Sequence, residues 1–264
     1  MMPAHACPTT EASCWAPLRP VENAAATLFL FPYAGGSAQS FLRWIEHLPP
    51  QWSVLGLQMP GRGTRWSEAP LRHIGDALAE LVAQQAQHLD RPALFWGHSL
   101  GGILAYEAAR HWRQLARAGR QALDIQALVV SACVAPRYWP GQRGNSVVIS
   151  GRQDLVNALR RYGDTFLHMI EDEELLDFVL PTVQADFEVV ESYVYPGPAQ
   201  LDVPILVFHG EEDQTVDARK ASDWREETQA DCQLRGFAGG HFFFVEHEAE
   251  VVEALNAFLS TQRG

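Results

Sequence analysis

The sequence predicts an α/β fold in which helices cover both faces of a mostly parallel central sheet. Short apolar runs alternate with longer segments of helical period, and Gly97-His98-Ser99-Leu100-Gly101 joins one such run to one such segment. Acidic and histidine-bearing loops follow two later runs. Met1–Ser13 carries no pattern and is expected to fray. Cys14 to Val21 reads as a first edge strand, Thr27 to Phe31 as an early buried strand and Val54–Met59 as the next. Ser40–Leu48 reads as a helix, as does Ile74 to Leu89, where Ile74, Leu78, Leu81 and Val82 share a face. The run Ala93 to Trp96 precedes a helix reaching about Gly119, and Ala127–Val134 is the next strand. Residues 137 to about 200 interrupt the alternation, with helical patterns at Asp154–Tyr162 and at Glu173–Val194, the latter expected to break near Pro181. This is a helical insertion between two strands, readable as a moving lid or as a packed element. Pro204 to Gly210 and Gln233 to Phe237 are the last two strands.

The pentapeptide has the G-x-S-x-G form in which a strand turns sharply into a helix and leaves a serine hydroxyl at the tip. Gly97 and Gly101 lack a Cβ, which lets the turn be tight and the helix start close to neighbouring strands. The motif in this strand-turn-helix setting implies an α/β-hydrolase fold with Ser99 as nucleophile.

A serine needs a base, and the base an orienting group. In this fold the acid comes next along the chain and the histidine last. Asp213 lies just beyond the strand ending at Gly210, where it can reach back over the sheet; its rivals are Glu211, Glu212 and Asp217. His241 follows the strand ending at Phe237, after Gly239 and Gly240 and before Phe242-Phe243-Phe244. His209 falls inside a strand and reads as a packed core histidine, His98 is the variable elbow position, and His247 falls on the last helix facing solvent. The assignment is therefore Ser99 nucleophile, His241 general base and acid, and Asp213 orienting carboxylate. Pro32-Tyr33-Ala34-Gly35-Gly36-Ser37 follows the early strand, where such folds take one oxyanion N–H; the other comes from the residue after the nucleophile. That points to Ala34, with Tyr33 as the alternative, and to Leu100. A phosphate loop is disfavoured because no Gly-Lys-Ser/Thr follows.

The chain resembles the type II thioesterases that accompany nonribosomal peptide and polyketide synthases. The similarity runs almost end to end, through Phe31-Pro32-Tyr33-Ala34-Gly35-Gly36-Ser37-Ala38, Gln58-Met59-Pro60-Gly61-Arg62-Gly63-Thr64-Arg65 and the elbow. It continues at Ser131 to Pro136, Leu180 to Phe187 and Gly239-Gly240-His241-Phe242. The Pro-Gly-Arg-x-x-Arg segment separates this family from general lipases and esterases better than the elbow does. Departures are Leu100 in place of a common methionine, Trp96 in place of a common phenylalanine, and Gln184 at a position often basic. The resemblance implies hydrolysis of stalled or misprimed acyl groups from the phosphopantetheine arm of acyl or peptidyl carrier proteins, with no cofactor or metal of the enzyme's own. The competing enzyme reading is a chain-terminating fatty acyl thioesterase or a general carboxylesterase. A non-catalytic binding member of the fold is disfavoured because Ser99, Asp213 and His241 are all present.

With 264 residues, 47% hydrophobic and 20% charged, the chain is expected to form one globular domain over 1–264 with a large core. No stretch approaches the roughly 18 apolar residues of a membrane helix, and Met1 to Glu11 lacks the pattern of a secretory signal. Cys7, Cys14, Cys133 and Cys232 are scattered without metal spacing, which suits a reducing, cytoplasmic setting; Cys133 falls in the apolar strand. A net charge of −12 argues against nucleic acid as partner. Carrier proteins are themselves generally acidic, so a local basic surface is needed. Two readings stand for Arg137, Arg143, Arg152, Arg160 and Arg161, with Arg62 and Arg65 as candidates to join them: a surface that faces the carrier, or a solvated helix face. Tyr33, Phe187, Phe242 and Phe243 are candidates to line an acyl tunnel, or are core packing.

Overall fold

A computed structural model describes residues 13–84, 91–139, 149–198 and 201–261. Met1–Ala12, the end of the helix expected to reach Leu89, and Arg143 lie outside the described residues. Seven strands form one sheet: β1 (Trp15–Arg19), β2 (Ala26–Phe31), β3 (Trp52–Leu57), β4 (Ala93–His98), β5 (Ile125–Ser131), β6 (Ile205–Gly210) and β7 (Cys232–Phe237). Their spatial order is β1-β3-β2-β4-β5-β6-β7. Only β1, on the edge, runs antiparallel to its neighbour; the other pairs are parallel. Every residue of β2 and β4 is buried, as strands covered on both faces require.

Eight α-helices complete the described residues: α1 (Ile74–Gln84), α2 (Leu100–Arg117), α3 (Arg152–Leu159), α4 (Leu167–Ile170), α5 (Glu173–Glu191), α6 (Ala218–Ser222), α7 (Phe243–Glu246) and α8 (Glu248–Thr261). None is long and apolar enough to cross a membrane. Leaving β2 the chain moves to β3 on one side, and leaving β4 it moves to β5 on the other. The loops after β2 and β4 therefore part at a topological switch point, where open α/β sheets form their ligand crevice. Beneath it lie edge-to-face aromatic contacts, with Trp44 and Trp96 ring centroids 4.3 Å apart.

Four local expectations are corrected. The segment expected as an ordinary helix over Ser40–Leu48 is a 3-10 helix, Ala38–Glu46. Its period of three places the buried Ala38, Phe41 and Trp44 in one row against the sheet. Helix α5 does not break near Pro181: it continues to Glu191. Pro181 is exposed, so the ring sits on the solvent side, while buried Leu176, Val183, Asp186 and Val189 hold one face together across it. Strand β5 stops at Ser131 because Ala132 takes a left-handed φ of 46°, so Cys133 sits past the strand rather than in it. His247 precedes α8 instead of lying on it, and its half-buried ring meets Glu250 at 3.1 Å.

The insertion between β5 and β6 carries α3, a 3-10 turn at Arg160–Phe166, α4 and α5. It has a small core of its own around Ile149, Leu155, Leu159, Leu176 and Val183.

Candidate active site

Ser99 sits between β4 and α2 with φ 55° and ψ −118°, a conformation that costs a side-chain-bearing residue about 1–3 kcal/mol. The surroundings enforce it. Ser99 N–H donates to the Ser131 carbonyl at 2.8 Å, and Gly102 N–H donates to the Ser99 carbonyl at 2.9 Å. A Cβ on Gly101 would lie 2.0 Å from the Phe31 carbonyl oxygen, and one on Gly97 would lie 2.1 Å from that of Gly101. These two glycines allow β2, β4 and α2 to meet closely enough to raise the serine.

Asp213 and His241 come together from the loops after β6 and β7. Those loops are stitched by Glu211 N–H to the Phe237 carbonyl at 2.8 Å and Glu212 N–H to that of Gly239 at 2.9 Å. His241 Nδ1 lies 2.7 Å from Asp213 Oδ2, with both side chains almost fully buried. Asp213 Oδ1 accepts from the Thr215 N–H at 2.8 Å, the Thr215 hydroxyl at 2.7 Å and the Val216 N–H at 3.3 Å. Burial pushes the Asp213 carboxyl up, but the His241 bond and charge and the Thr215 donors outweigh it and hold the group below its ordinary value. The rivals are placed elsewhere: Glu211 and Glu212 are exposed, and Asp217 caps α6 through the Arg219 N–H. His209 is half-buried, with Nδ1 3.3 Å from its neighbour's carbonyl.

Ser99, Leu100, Ala34 and His241 border one cavity of about 380 Å³. Tyr33 does not border it. In the Tyr33–Ser37 loop, Gly36 N–H closes a turn on the Tyr33 carbonyl and Gly35 N–H donates to Asp186 at 2.6 Å. Leu100 is the first residue of α2, where an N–H has no partner within the helix. The remaining wall is mostly apolar, with Ala132, Val134, Trp139, Ala158, Phe187 and Val190. Of the four aromatics considered for a tunnel, Phe187 alone lines this cavity. Tyr33 packs edge-on to Phe242 at 4.8 Å, and Phe243 stacks on Phe237 at 5.2 Å. Phe242 and Phe243 border a second cavity of about 350 Å³ on the other side of Tyr162 and His241. Cys133 also lines the first cavity, but burial drives its thiol well above the ordinary range, so it stays protonated and non-nucleophilic.

Several contributing residues have no motif-level signal. Tyr162, from the insertion, lays its ring 4.7 Å from the His241 ring. Thr215 carries a local hint, an Asp-x-Thr turn in which the carboxylate accepts from the backbone two residues on. His98, the elbow's variable position, is completely buried; its Nδ1 meets Ser131 Oγ at 3.0 Å and its ring lies 5.1 Å from that of His241. Burial, and then the neighbouring His241, push the His98 imidazole well below its ordinary value, so it folds neutral. Below about pH 6.5 the unfolded chain binds a proton at this position that the native state refuses. Stability therefore falls with falling pH until the folded-state value is passed. Replacing His98 with Gln is expected to remove up to about one proton from that dependence, read as the pH slope of urea unfolding below pH 6.5.

The basic-surface expectation is partly corrected. Arg62 and Arg65 are buried: Arg62 pairs with Asp186, and Arg65 with Glu68 and Glu80. Both have internal carboxylates to satisfy, which a surface reading of the sequence does not show. Arg137 pairs with Glu226, and Arg152 with Glu173 and Asp177. Arg160 and Arg161 are exposed; both border the second cavity, and Arg161 the first as well.

Comparison with known proteins gives one family. The thioesterase domain family matches residues 26–259. The gramicidin S biosynthesis protein GrsT of Aneurinibacillus migulanus is 33% identical over 236 residues, covering 88% of this chain and 89% of that protein. The thioesterase PikA5 of Streptomyces venezuelae is 31% identical over 246 residues, covering 93% and 85% respectively. Among solved structures, the type II thioesterase BorB from the borrelidin biosynthetic cluster superposes with a TM-score of 0.81 at 33% identity, covering 94% of this chain and 98% of that one. YbtT, a type II thioesterase from the yersiniabactin pathway, gives 0.78 at 26% identity, covering 94% and 99%.

Proposed function

This chain belongs to the thioesterase domain family and hydrolyses thioesters, and we propose that its substrates are stalled or misprimed acyl groups on the phosphopantetheine arm of carrier proteins in nonribosomal peptide or polyketide synthesis. The observation that carries the reading is the buried Asp213–His241 pair opening onto the same cavity as Ser99, Leu100 and Ala34. Ser99 Oγ attacks the thioester carbonyl carbon while His241 takes the hydroxyl proton. Asp213 holds the imidazole with its Nδ1 protonated, leaving Nε2 to act as base. Negative charge forming on the carbonyl oxygen is met by the Ala34 and Leu100 N–H groups, a contribution on the order of 10²–10³ in rate per donor. The C–S bond breaks, the thiolate takes the proton from His241, and the acyl group remains on Ser99. Water, deprotonated by His241, then attacks the ester; the carboxylic acid leaves and the serine regains its proton. The wall of Val134, Trp139, Phe187 and Val190 gives an acyl chain an apolar seat. No cofactor is needed at any step.

Relatives named for gramicidin S and borrelidin biosynthesis support the carrier-bound substrate. Exposed Arg160 and Arg161 at the cavity mouths are suited to meet an acidic carrier. The test measures kcat/KM for one acyl group presented on a holo carrier protein, on coenzyme A and as a simple ester. The carrier form is expected to be preferred about tenfold or more, and charge reversal of both arginines is expected to raise KM for that form alone. Preference for coenzyme A or the ester, with equal effects of charge reversal, would make the enzyme a general hydrolase.

A further inference from the structure

We infer that Asp186 and Arg62 are positioning residues for the oxyanion loop, and that helix α5 of the insertion thereby sets whether the loop can stabilise charge. This rests on the reading of Ala34 as an oxyanion donor. Asp186 lies in the C-terminal half of α5, 151 residues from Gly35 in sequence, and its side chain is completely buried. One carboxylate oxygen, Oδ2, accepts from the Gly35 N–H at 2.6 Å and from Arg62 Nη1 at 2.6 Å; the other accepts from Arg62 Nη2 at 2.6 Å. The same guanidinium donates to the Gly36 carbonyl at 3.1 Å. The ion pair thus grips the first and the third peptide groups after Ala34, one by its N–H and the other by its carbonyl.

Peptide planarity gives that grip its consequence. Holding the Gly35 N–H fixes the plane between Ala34 and Gly35, and the Gly36 N–H bond to the Tyr33 carbonyl at 2.8 Å holds the preceding plane, which carries the Ala34 N–H. A second contact from the same helix tightens the arrangement: Val183 packs so close that a Cβ on Gly35 would lie 2.9 Å from its Cγ2. A third runs from the Thr182 hydroxyl to the Gly61 carbonyl at 2.9 Å, holding the turn that presents Arg62. Three successive positions of one helix face therefore clasp the loops after β2 and β3. A buried pair kept only for stability could be replaced by apolar residues at little cost, because desolvation offsets much of its attraction. Here the carboxylate is also the acceptor for an amide that nothing apolar could satisfy.

The test separates positioning from folding. The variants are the apolar pair Arg62→Leu/Asp186→Leu, a smaller apolar pair Arg62→Met/Asp186→Ala, and the neutral polar pair Arg62→Gln/Asp186→Asn. Each is assayed with a small acyl thioester of N-acetylcysteamine, with active sites counted by a fluorophosphonate and with binding of an acyl trifluoromethyl ketone measured. Wild type and Ser99→Ala run beside them. The apolar pair is expected to fold with a Tm a few degrees below wild type, since it leaves the Gly35 N–H unpaired, and to lose about 10- to 100-fold in kcat per active site, with KM within about twofold. Ketone affinity should fall by the same factor as kcat/KM, and the polar pair, which keeps an acceptor for Gly35, should recover most of the loss. A folded apolar pair with wild-type kcat would overturn the inference. Should that pair fail to fold, the smaller apolar pair Arg62→Met/Asp186→Ala, which also leaves Gly35 without an acceptor, decides: parallel losses in kcat and ketone affinity support positioning, and wild-type values for both overturn it. Hydrolysis by Ser99→Ala at the wild-type rate would instead remove the proposed function on which the oxyanion reading rests.

Discussion

Replacing Ser99 with Ala is expected to lower kcat for thioester hydrolysis by roughly 10⁴-fold or more, since removing a nucleophile that works as a unit with its base abolishes nearly the whole contribution of both. Replacing it with Gly should be equally inactive but more stable. The φ of 55° and ψ of −118° hold a Cβ in a region that costs about 1–3 kcal/mol, and glycine relieves that strain. Its extra freedom in the unfolded chain gives back about 0.5–1 kcal/mol. A net gain near 1 kcal/mol corresponds to a Tm about 2–4 °C above the alanine variant in a chain of this size. Equal melting temperatures for the two would mean that the elbow stores no strain. Retained turnover in either would move the nucleophile elsewhere.

Asp213→Asn is expected to cost roughly 10⁴-fold in kcat at neutral pH with little change in KM. The hydrogen bonds dictate how. The Oδ1 position faces the Thr215 and Val216 N–H groups, both obligate donors, so an asparagine must place its carbonyl oxygen there. Its NH₂ then faces His241 Nδ1, which is forced to accept, and the ring proton moves to Nε2, the side that must take the proton from serine. Glu212→Gln, exposed in the same loop, should leave kcat within about twofold and serves as the control. Stability should change with pH in a defined direction. The Asp213 carboxyl is held below its ordinary value, so the wild type has a contribution present above about pH 4 that is lost as pH falls through the folded-state value. The asparagine variant should lack this part of the acid dependence. If the two unfold with the same pH slope in that range, the pair contributes no linked stability.

The sheet and three of the site residues are legible in the sequence because they are local facts. The inner strands of the parallel sheet are short, mostly apolar runs, the edge strand β7 is short and more polar, and Ser99, Asp213 and His241 each follow a strand within a few residues. Ala34, the proposed oxyanion donor, has its place beside the cavity legible for the same reason, being carried on the loop after β2. What pattern reading misses depends on contacts between distant segments. Arg62 looks like a surface cation until Asp186, 124 residues on, is seen to neutralise it. Tyr162 ends a helical pattern in the sequence but lies in a 3-10 turn, and nothing local shows that its ring meets His241. His98 looks incidental because its significance lies in what surrounds it, the rings of Tyr33, His241, Phe242 and Phe244. Pro181 misleads in the opposite sense: the local rule predicts a break, and a buried face spanning the proline overrides it.

On the proposed mechanism, acyl groups pass through an ester on Ser99 whatever thiol delivers them. Partitioning between water and added methanol tests it most directly, by the ratio of methyl ester to free acid formed from one acyl group on a holo carrier protein, on coenzyme A and on N-acetylcysteamine. A shared acyl-serine intermediate predicts one ratio for all three donors, with neither product formed by Ser99→Ala above background. A ratio that changes with the departing thiol would mean that water attacks the thioester itself, and would contradict the account.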